Sequence, residues 1–246
     1  MTPFWCAPPS SAIDFPVLGL ITSLMQDLAC GKGGDLPKWR EVGIRAYVGV
    51  DIATDSVRKD ARERYNKGGF VFPAALFVAD AFEAPLRGAL GDHLPLDVVS
   101  CQFALHYAFS SEARARRALQ NVADVLRPGG YFIGTTADAD VLVKKLRAVD
   151  GLCVSNDVFS CVFDEKCASK RFDAAHPFGL TYKFTLADAV EDLPEYLVHR
   201  PTLERLAGEV GLQLELWQVC WHTRLHDLCR VLSHTLILTR TLTSLW

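Results

Sequence analysis

Five short apolar runs, Leu24–Leu28, Ala46–Ile52, Ala75–Ala79, Leu96–Phe103 and Tyr131–Thr135, alternate with segments of helical periodicity, and this alternation limits the chain more than any other feature. The helical segments are Asp35–Val42, Asp55–Tyr65, Ser111–Leu126 and Asp138–Ala148. Strand, helix, strand in regular succession predicts a parallel sheet wound on both faces by helices. Ser110 and Ser111 are candidate N-caps for the third helix. Arg127-Pro128-Gly129-Gly130 ends it and turns the chain into the next strand.

Beyond this alternation lie two β-like stretches, Val154–Phe163 and Leu180–Leu186, which predict a hairpin insertion. They are followed by an extended piece at Glu195–His199, a helix from Thr202 to Val210 and a strand at Leu212–Val219. A chain of 246 residues, half of them hydrophobic, holds one full α/β domain and not two. It divides into a proline-broken lead-in over 1–22, a domain over 23–220 and a leucine-rich tail over 221–246 in which no strand alternation is visible.

A net charge of −3 argues against tracking along a nucleic-acid backbone and for gripping a small feature of any RNA partner. Eight cysteines without a CxxC pair read as reduced thiols in the cytosol or nucleus. No basic n-region opens the chain, and no apolar run reaches membrane-spanning length, so neither a secretory signal nor a membrane partner is expected.

The chemistry concentrates at strand ends. Asp27-Leu28-Ala29-Cys30-Gly31-Lys32-Gly33-Gly34-Asp35 follows the first run and opens a helix, as a glycine turn that admits a ligand close to the backbone does. Asp51 ends the next strand, where a carboxylate can accept both ribose hydroxyls of a nucleoside cofactor, and Asp80 ends the third, where it can face an adenine edge. NAD is the rival ligand, but a pyrophosphate site wants a third glycine where Leu36 stands. S-adenosylmethionine has no pyrophosphate and carries a cationic end that tolerates Asp27 nearby. His222 and His226, with Cys220 and Cys229, invite a zinc reading, but their spacing departs from the usual paired ligands and no metal is expected.

With Ser100-Cys101-Gln102-Phe103-Ala104-Leu105-His106-Tyr107 at the end of the fourth strand, the chain resembles the mRNA cap guanine-N7 methyltransferases. The resemblance runs from about Gln26 to Leu214 through DLACGKGGDL, VGVDIA with Arg64-Tyr65, SCQFALHYAF, LRPGGYFIGTT and YKFTLADAVEDLPEYLV. It implies a class I methyltransferase fold: an α/β, Rossmann-like, mostly parallel seven-stranded sheet with one late antiparallel strand, helices on both faces and a small β insertion. It implies S-adenosylmethionine as methyl donor, bound by Asp27, Ala29, Gly31, Asp51, Asp80, Gln102 and Tyr107. The implied substrate is the capped 5′ end of mRNA, held by Lys32, Asp35, Arg64, Phe103, His106 and Glu195, with His106, Tyr107 and Glu195 around the reacting base. A nuclear location and RNA polymerase II or other capping enzymes as partners follow from the same resemblance.

Guanine N7 carries a lone pair and no proton, so its methylation needs alignment and electrostatic complementarity but no general base. The resemblance implies Glu195 as the carboxylate that accepts N1–H and N2–H together, and His106 is able to bond the base, with O6 as acceptor. Four departures stand out. The family's Asn-rich, Lys-containing segment is missing from 1–24, Ala29 replaces a glycine, Ala137 replaces a proline, and the tail shows neither the closing strands nor the aromatic residue they bring. Two other functions fit parts of the pattern: a methyltransferase for small molecules or proteins, and a non-catalytic paralogue that binds caps.

Overall fold

A computed structural model describes residues 4–6, 23–187, 189–219 and 233–241. Its centre is an eight-stranded sheet built from β1 (Phe4–Cys6), β2 (Leu24–Leu28), β3 (Ala46–Asp51), β4 (Ala74–Val78), β5 (Leu96–Gln102), β6 (Leu126–Ala137), β11 (Leu212–Val219) and β12 (Ser233–Arg240). The order across it is β1-β4-β3-β2-β5-β6-β12-β11. β2 to β6 run parallel, whereas β12 is antiparallel to both β6 and β11. Seven strands and one late antiparallel member were expected; the eighth is the three-residue β1, paired antiparallel to the edge strand β4.

The parallel strands are apolar along nearly their whole length because helices cover both faces. One face carries α1 (Leu36–Val42) and α2 (Arg62–Lys67), the latter entered through a π-helical stretch at Ser56–Ala61. Leu36, Trp39, Val57 and Tyr65 bury against Met25, Tyr47 and Leu76 there. The other face carries α3 (Arg87–Leu90), α4 (Leu105–Ala108), α5 (Glu112–Val125) and α7 (Arg200–Glu209). Ser111 is the N-cap of α5, its hydroxyl accepting from Arg114 N at 3.3 Å.

The insertion is larger than the predicted hairpin. It is a four-stranded antiparallel sheet, β10-β9-β8-β7, of β7 (Cys153–Ser155), β8 (Phe159–Phe163), β9 (Thr181–Leu186) and β10 (Val190–Tyr196). The run read as one stretch breaks at Asn156, whose side-chain oxygen accepts from Val158 N and Phe159 N in an Asx-type turn. This sheet packs on α6 (Ala139–Arg147), capped by Asp138, through Val154, Phe159, Cys161 and Tyr182. The expectation that the tail lacks closing strands is corrected: β12 lies inside 221–246 and fills the gap between β6 and β11. It does so without a Phe, Tyr or Trp in its eight residues.

Candidate active site

Strand order reverses between β2 and β5, so a crevice opens beyond their carboxyl ends. Both ends carry a non-glycine residue in the left-handed region, Ala29 at φ 58° and Phe103 at φ 52°. Such backbone is strained for an L-residue and persists where the surroundings hold it. After β2 the chain turns through Gly31 at φ 51° and Gly33 at φ 71°; a Cβ on Gly33 would lie 2.7 Å from Leu36 Cδ1. Asp51 fastens this turn to β3, its Oδ2 accepting from Gly31 N at 2.8 Å and its Oδ1 from Ala53 N at 2.7 Å. Each carboxylate oxygen keeps lone-pair capacity for a ribose hydroxyl.

A cleft of about 400 Å³ follows, lined among others by Ala29, Asp51, Ile52, Asp80, Phe82 and Tyr107. Ile52 leaves 65% of its surface exposed there, an apolar platform suited to a flat base. Asp80 is held on both sides: Oδ1 accepts from Phe82 N at 2.8 Å and Oδ2 from Arg114 Nη2 at 2.9 Å. Acids at the ribose and base ends, with Arg114 already paired to one of them, suit a nucleoside with a cationic tail better than a pyrophosphate. S-adenosylmethionine therefore fits the residues present.

Three of the expected cofactor residues are not on the cleft wall: Gly31, whose N–H is taken by Asp51, and Asp27 and Gln102. Asp27 is 2% exposed beneath the turn, where its Oδ2 accepts from Tyr47 OH at 3.0 Å. Burial, reinforced by the nearby Asp35 charge, raises its pKa to about 8. Gln102 is tied into the sheet, donating to Ser100 Oγ at 3.0 Å and accepting from Thr135 Oγ1 at 2.7 Å.

Beside the cleft sits a second cluster. His106 is 3% exposed and neither ring nitrogen has a hydrogen-bond partner among the described residues. Its Nε2 lies 3.6 Å from Glu195 Oε1. Desolvation drives the imidazole pKa down to about 3, so the ring is neutral. Glu195, 9% exposed at the end of β10, is raised by burial to about 7, against a lowering pull from the Tyr182 hydroxyl bonded to Oε2 at 2.7 Å. Tyr107 joins the two regions: it lines the cleft, and its ring centre is 4.2 Å from that of His106. Burial and the Glu195 charge push its hydroxyl pKa up.

A third group is basic. Arg64 Nε donates to the Lys32 carbonyl at 3.0 Å, which puts two exposed cations at the glycine turn. Lys32 pairs with Asp60 at 3.1 Å, while Asp35, expected among the residues that hold the cap, pairs with Lys38 and not with Lys32 or Arg64. Asp60 lies on the π-helical stretch one turn before Arg64, and a helical acid at that offset reads as a solvated face in sequence. Phe103 offers an aromatic surface with 46% exposed, its N–H donating to Thr135 O at 2.9 Å.

Sequence reasoning missed Ile52, Phe82, Arg114 and Tyr182. Ile52 and Tyr182 each lay within a quoted motif, VGVDIA and YKFTLADAVEDLPEYLV, whereas Phe82 and Arg114 carried no signal. Among the described residues no group of three or more His, Cys, Asp or Glu side chains is placed to hold a metal, and Cys220, His222, His226 and Cys229 lie outside them.

The sheet order and the crevice define the class. The fold is that of S-adenosylmethionine-dependent methyltransferases, as in the CcbJ methyltransferase of Streptomyces caelestis, with a TM-score of 0.60 and 14% identity over 90% of this chain and 84% of that one. Residues 20–233 match the mRNA (guanine-N(7))-methyltransferase domain, and the chain belongs to that family. It is 51% identical over 197 residues to mRNA cap guanine-N(7) methyltransferase 1 of Oryza sativa subsp. japonica, covering 77% of this chain and 53% of that protein. To the Arabidopsis thaliana protein of the same name it is 48% identical, covering 76% and 52%. The chain thus spans about half the length of these curated relatives.

Proposed function

We propose that this chain transfers a methyl group from S-adenosylmethionine to N7 of the guanine that caps the 5′ end of mRNA. The observation that carries the reading is the buried pair of Glu195 and neutral His106, linked through Tyr107 to the nucleoside cleft. A carboxylate beside a neutral imidazole matches the Watson–Crick edge of guanine: Glu195 accepts N1–H and N2–H, and His106 donates to O6. Asp51 and the glycine turn hold the ribose side of the methyl donor, and Ile52 and Phe82 border the base. When bound, the donor supplies an electrophilic methyl on a sulfonium.

No residue need take a proton, because N7 has none. As N7 gains the methyl the base becomes cationic and its N1–H more acidic, so the bond to Glu195 strengthens toward the transition state. That is differential stabilisation and not uniform binding. Tyr107, half-buried, lines the cleft beside His106 and so borders the space where nucleophile and donor meet. Lys32 and Arg64 meet the cap phosphates, and with a net charge of −3 the protein grips the cap and not a long RNA track. Work on nascent transcripts in the nucleus, alongside RNA polymerase II or another capping enzyme, follows from this reading.

Calorimetry with S-adenosylmethionine, then with GpppA, tests it. Both should bind, and GpppA should outcompete ApppA. Cofactor binding without cap binding would point to a small-molecule or protein methyltransferase; cap binding without cofactor would point to a non-catalytic paralogue.

A further inference from the structure

The recognition carboxylate does not stand alone. β9 and β10 are antiparallel, and Tyr182 lies directly opposite Glu195 in their register. The Tyr182 ring is buried against Phe163, with ring centres 5.4 Å apart, and its hydroxyl donates to Glu195 Oε2 at 2.7 Å. Glu195 Oε1 accepts no hydrogen bond from a described residue and faces His106. One oxygen is therefore anchored to the rigid insertion sheet, and the other is turned toward the groups that meet the base. Resting on the cap-guanine reading above, we propose that Tyr182 is the positioning residue of guanine recognition, fixing the Glu195 carboxylate in orientation and in its ionised form.

The physical case is specific to the hydroxyl. A buried carboxylate without a donor drifts toward the protonated acid, and a protonated acid presents a donor where guanine also presents donors. A hydrogen bond from Tyr182 favours the charged form and removes the rotational freedom of the Glu195 head group. The other titratable groups facing Glu195 supply no such donor: neither Tyr107 nor Cys161 hydrogen-bonds it, Tyr182 being its side-chain donor, and the His106 ring is neutral with Nε2 3.6 Å away. Lys183, next to Tyr182 along β9, is exposed and paired with Asp192 at 3.6 Å.

Tyr182→Phe keeps the ring and removes the donor. GpppA affinity is measured by calorimetry across pH, with S-adenosylmethionine affinity in parallel. At about pH 7 the variant should bind GpppA roughly 5–10-fold more weakly than wild type, as expected for loss of a charge-assisted bond. At about pH 8.5 the deficit should shrink to within about threefold, because the carboxylate ionises again. The acid limb of the profile moves up in pH, and cofactor affinity stays put. In a Glu195→Gln background, Tyr182→Phe should change GpppA affinity less than about twofold. Fluorotyrosine at position 182, a stronger donor of nearly unchanged size, should move the limb the other way, and it keeps the test open if Tyr182→Phe folds poorly. An unmoved acid limb in both variants, or a loss equal at every pH and undiminished in the Glu195→Gln background, overturns the proposal. If Glu195→Gln itself binds GpppA as tightly as wild type at the alkaline end, the cap-guanine reading falls instead.

Discussion

On the proposed cap-guanine reading, burial of Glu195 gives recognition a pH dependence whose size follows from the structure. Glu195 titrates at about 7 because it is desolvated at the end of β10. The form that accepts two guanine donors is the carboxylate, so recognition is present above this pKa and is lost as pH falls through it. At about pH 8 roughly nine-tenths of the side chain is competent; at about pH 6 roughly one-tenth is, and apparent affinity scales with that fraction. GpppA affinity should thus weaken about tenfold between the two, or about 1.4 kcal/mol. His106 cannot produce this slope, since at about 3 it stays neutral throughout. Glu195→Gln should bind GpppA about tenfold more weakly than wild type at the alkaline end and show a flat profile, so that the two curves converge near pH 6. Calorimetric titration of both proteins at several pH values reads this out. A wild-type affinity that does not change over the range, or a Glu195→Gln protein that keeps the slope, refutes the assignment of the carboxylate.

Asp51→Ala should weaken S-adenosylmethionine binding by about 1–3 kcal/mol, since it removes the ribose acceptor and frees the amides of Gly31 and Ala53; unchanged cofactor affinity in a folded variant would contradict this. Asp27 is held protonated up to about pH 8 in the fold while its ordinary value is 3.8, so the stability it contributes is complete below the lower value and lost as pH rises through the higher. Asp27→Asn, which cannot ionise, should therefore gain melting temperature over wild type progressively from about pH 5 to about pH 9; a constant difference across that range would show that the acid is not buried as described. Arg64→Ala should weaken capped-RNA binding several-fold, lower its salt dependence by about 0.7 in log–log slope and leave cofactor affinity alone; an unchanged slope removes Arg64 from the phosphates.

Strand–helix alternation was readable because β2 to β5 are short, mostly apolar runs, and β2 and β11 fall on the residues expected. β12 was not readable. It sits between β6 and β11 with Leu236 and Leu238 in the core, but only Leu236-Ile237-Leu238 of its eight residues are apolar, flanked by Ser, His, Thr and Arg, and so short an apolar run shows no strand pattern. β1 is too short to show a pattern, and the break after β7 depends on one Asn side chain. In the site, the glycine turn, Asp51, His106, Tyr107 and Glu195 were legible from motifs at strand ends. Their partners were not: Arg114 holds Asp80 from 34 residues away, and Tyr182, although inside the same quoted motif as Glu195, meets it only through the register of β9 and β10. Ala29 read in sequence as a departure from the family's glycine, and the backbone shows where the difficulty lies, at φ 58°, a conformation that glycine adopts without strain.

The central claim is methyl transfer to one atom, and the product reports on it directly. RNA ending in GpppA is incubated with the protein and S-adenosylmethionine, digested to the cap dinucleotide, and the methylated position assigned against N7-methylated and ribose-methylated standards. The account predicts methylation at guanine N7, dependent on the cap and absent from triphosphate-ended RNA of the same sequence. A folded, cofactor-binding protein that leaves the cap guanine unmethylated, or that methylates another position, would contradict it.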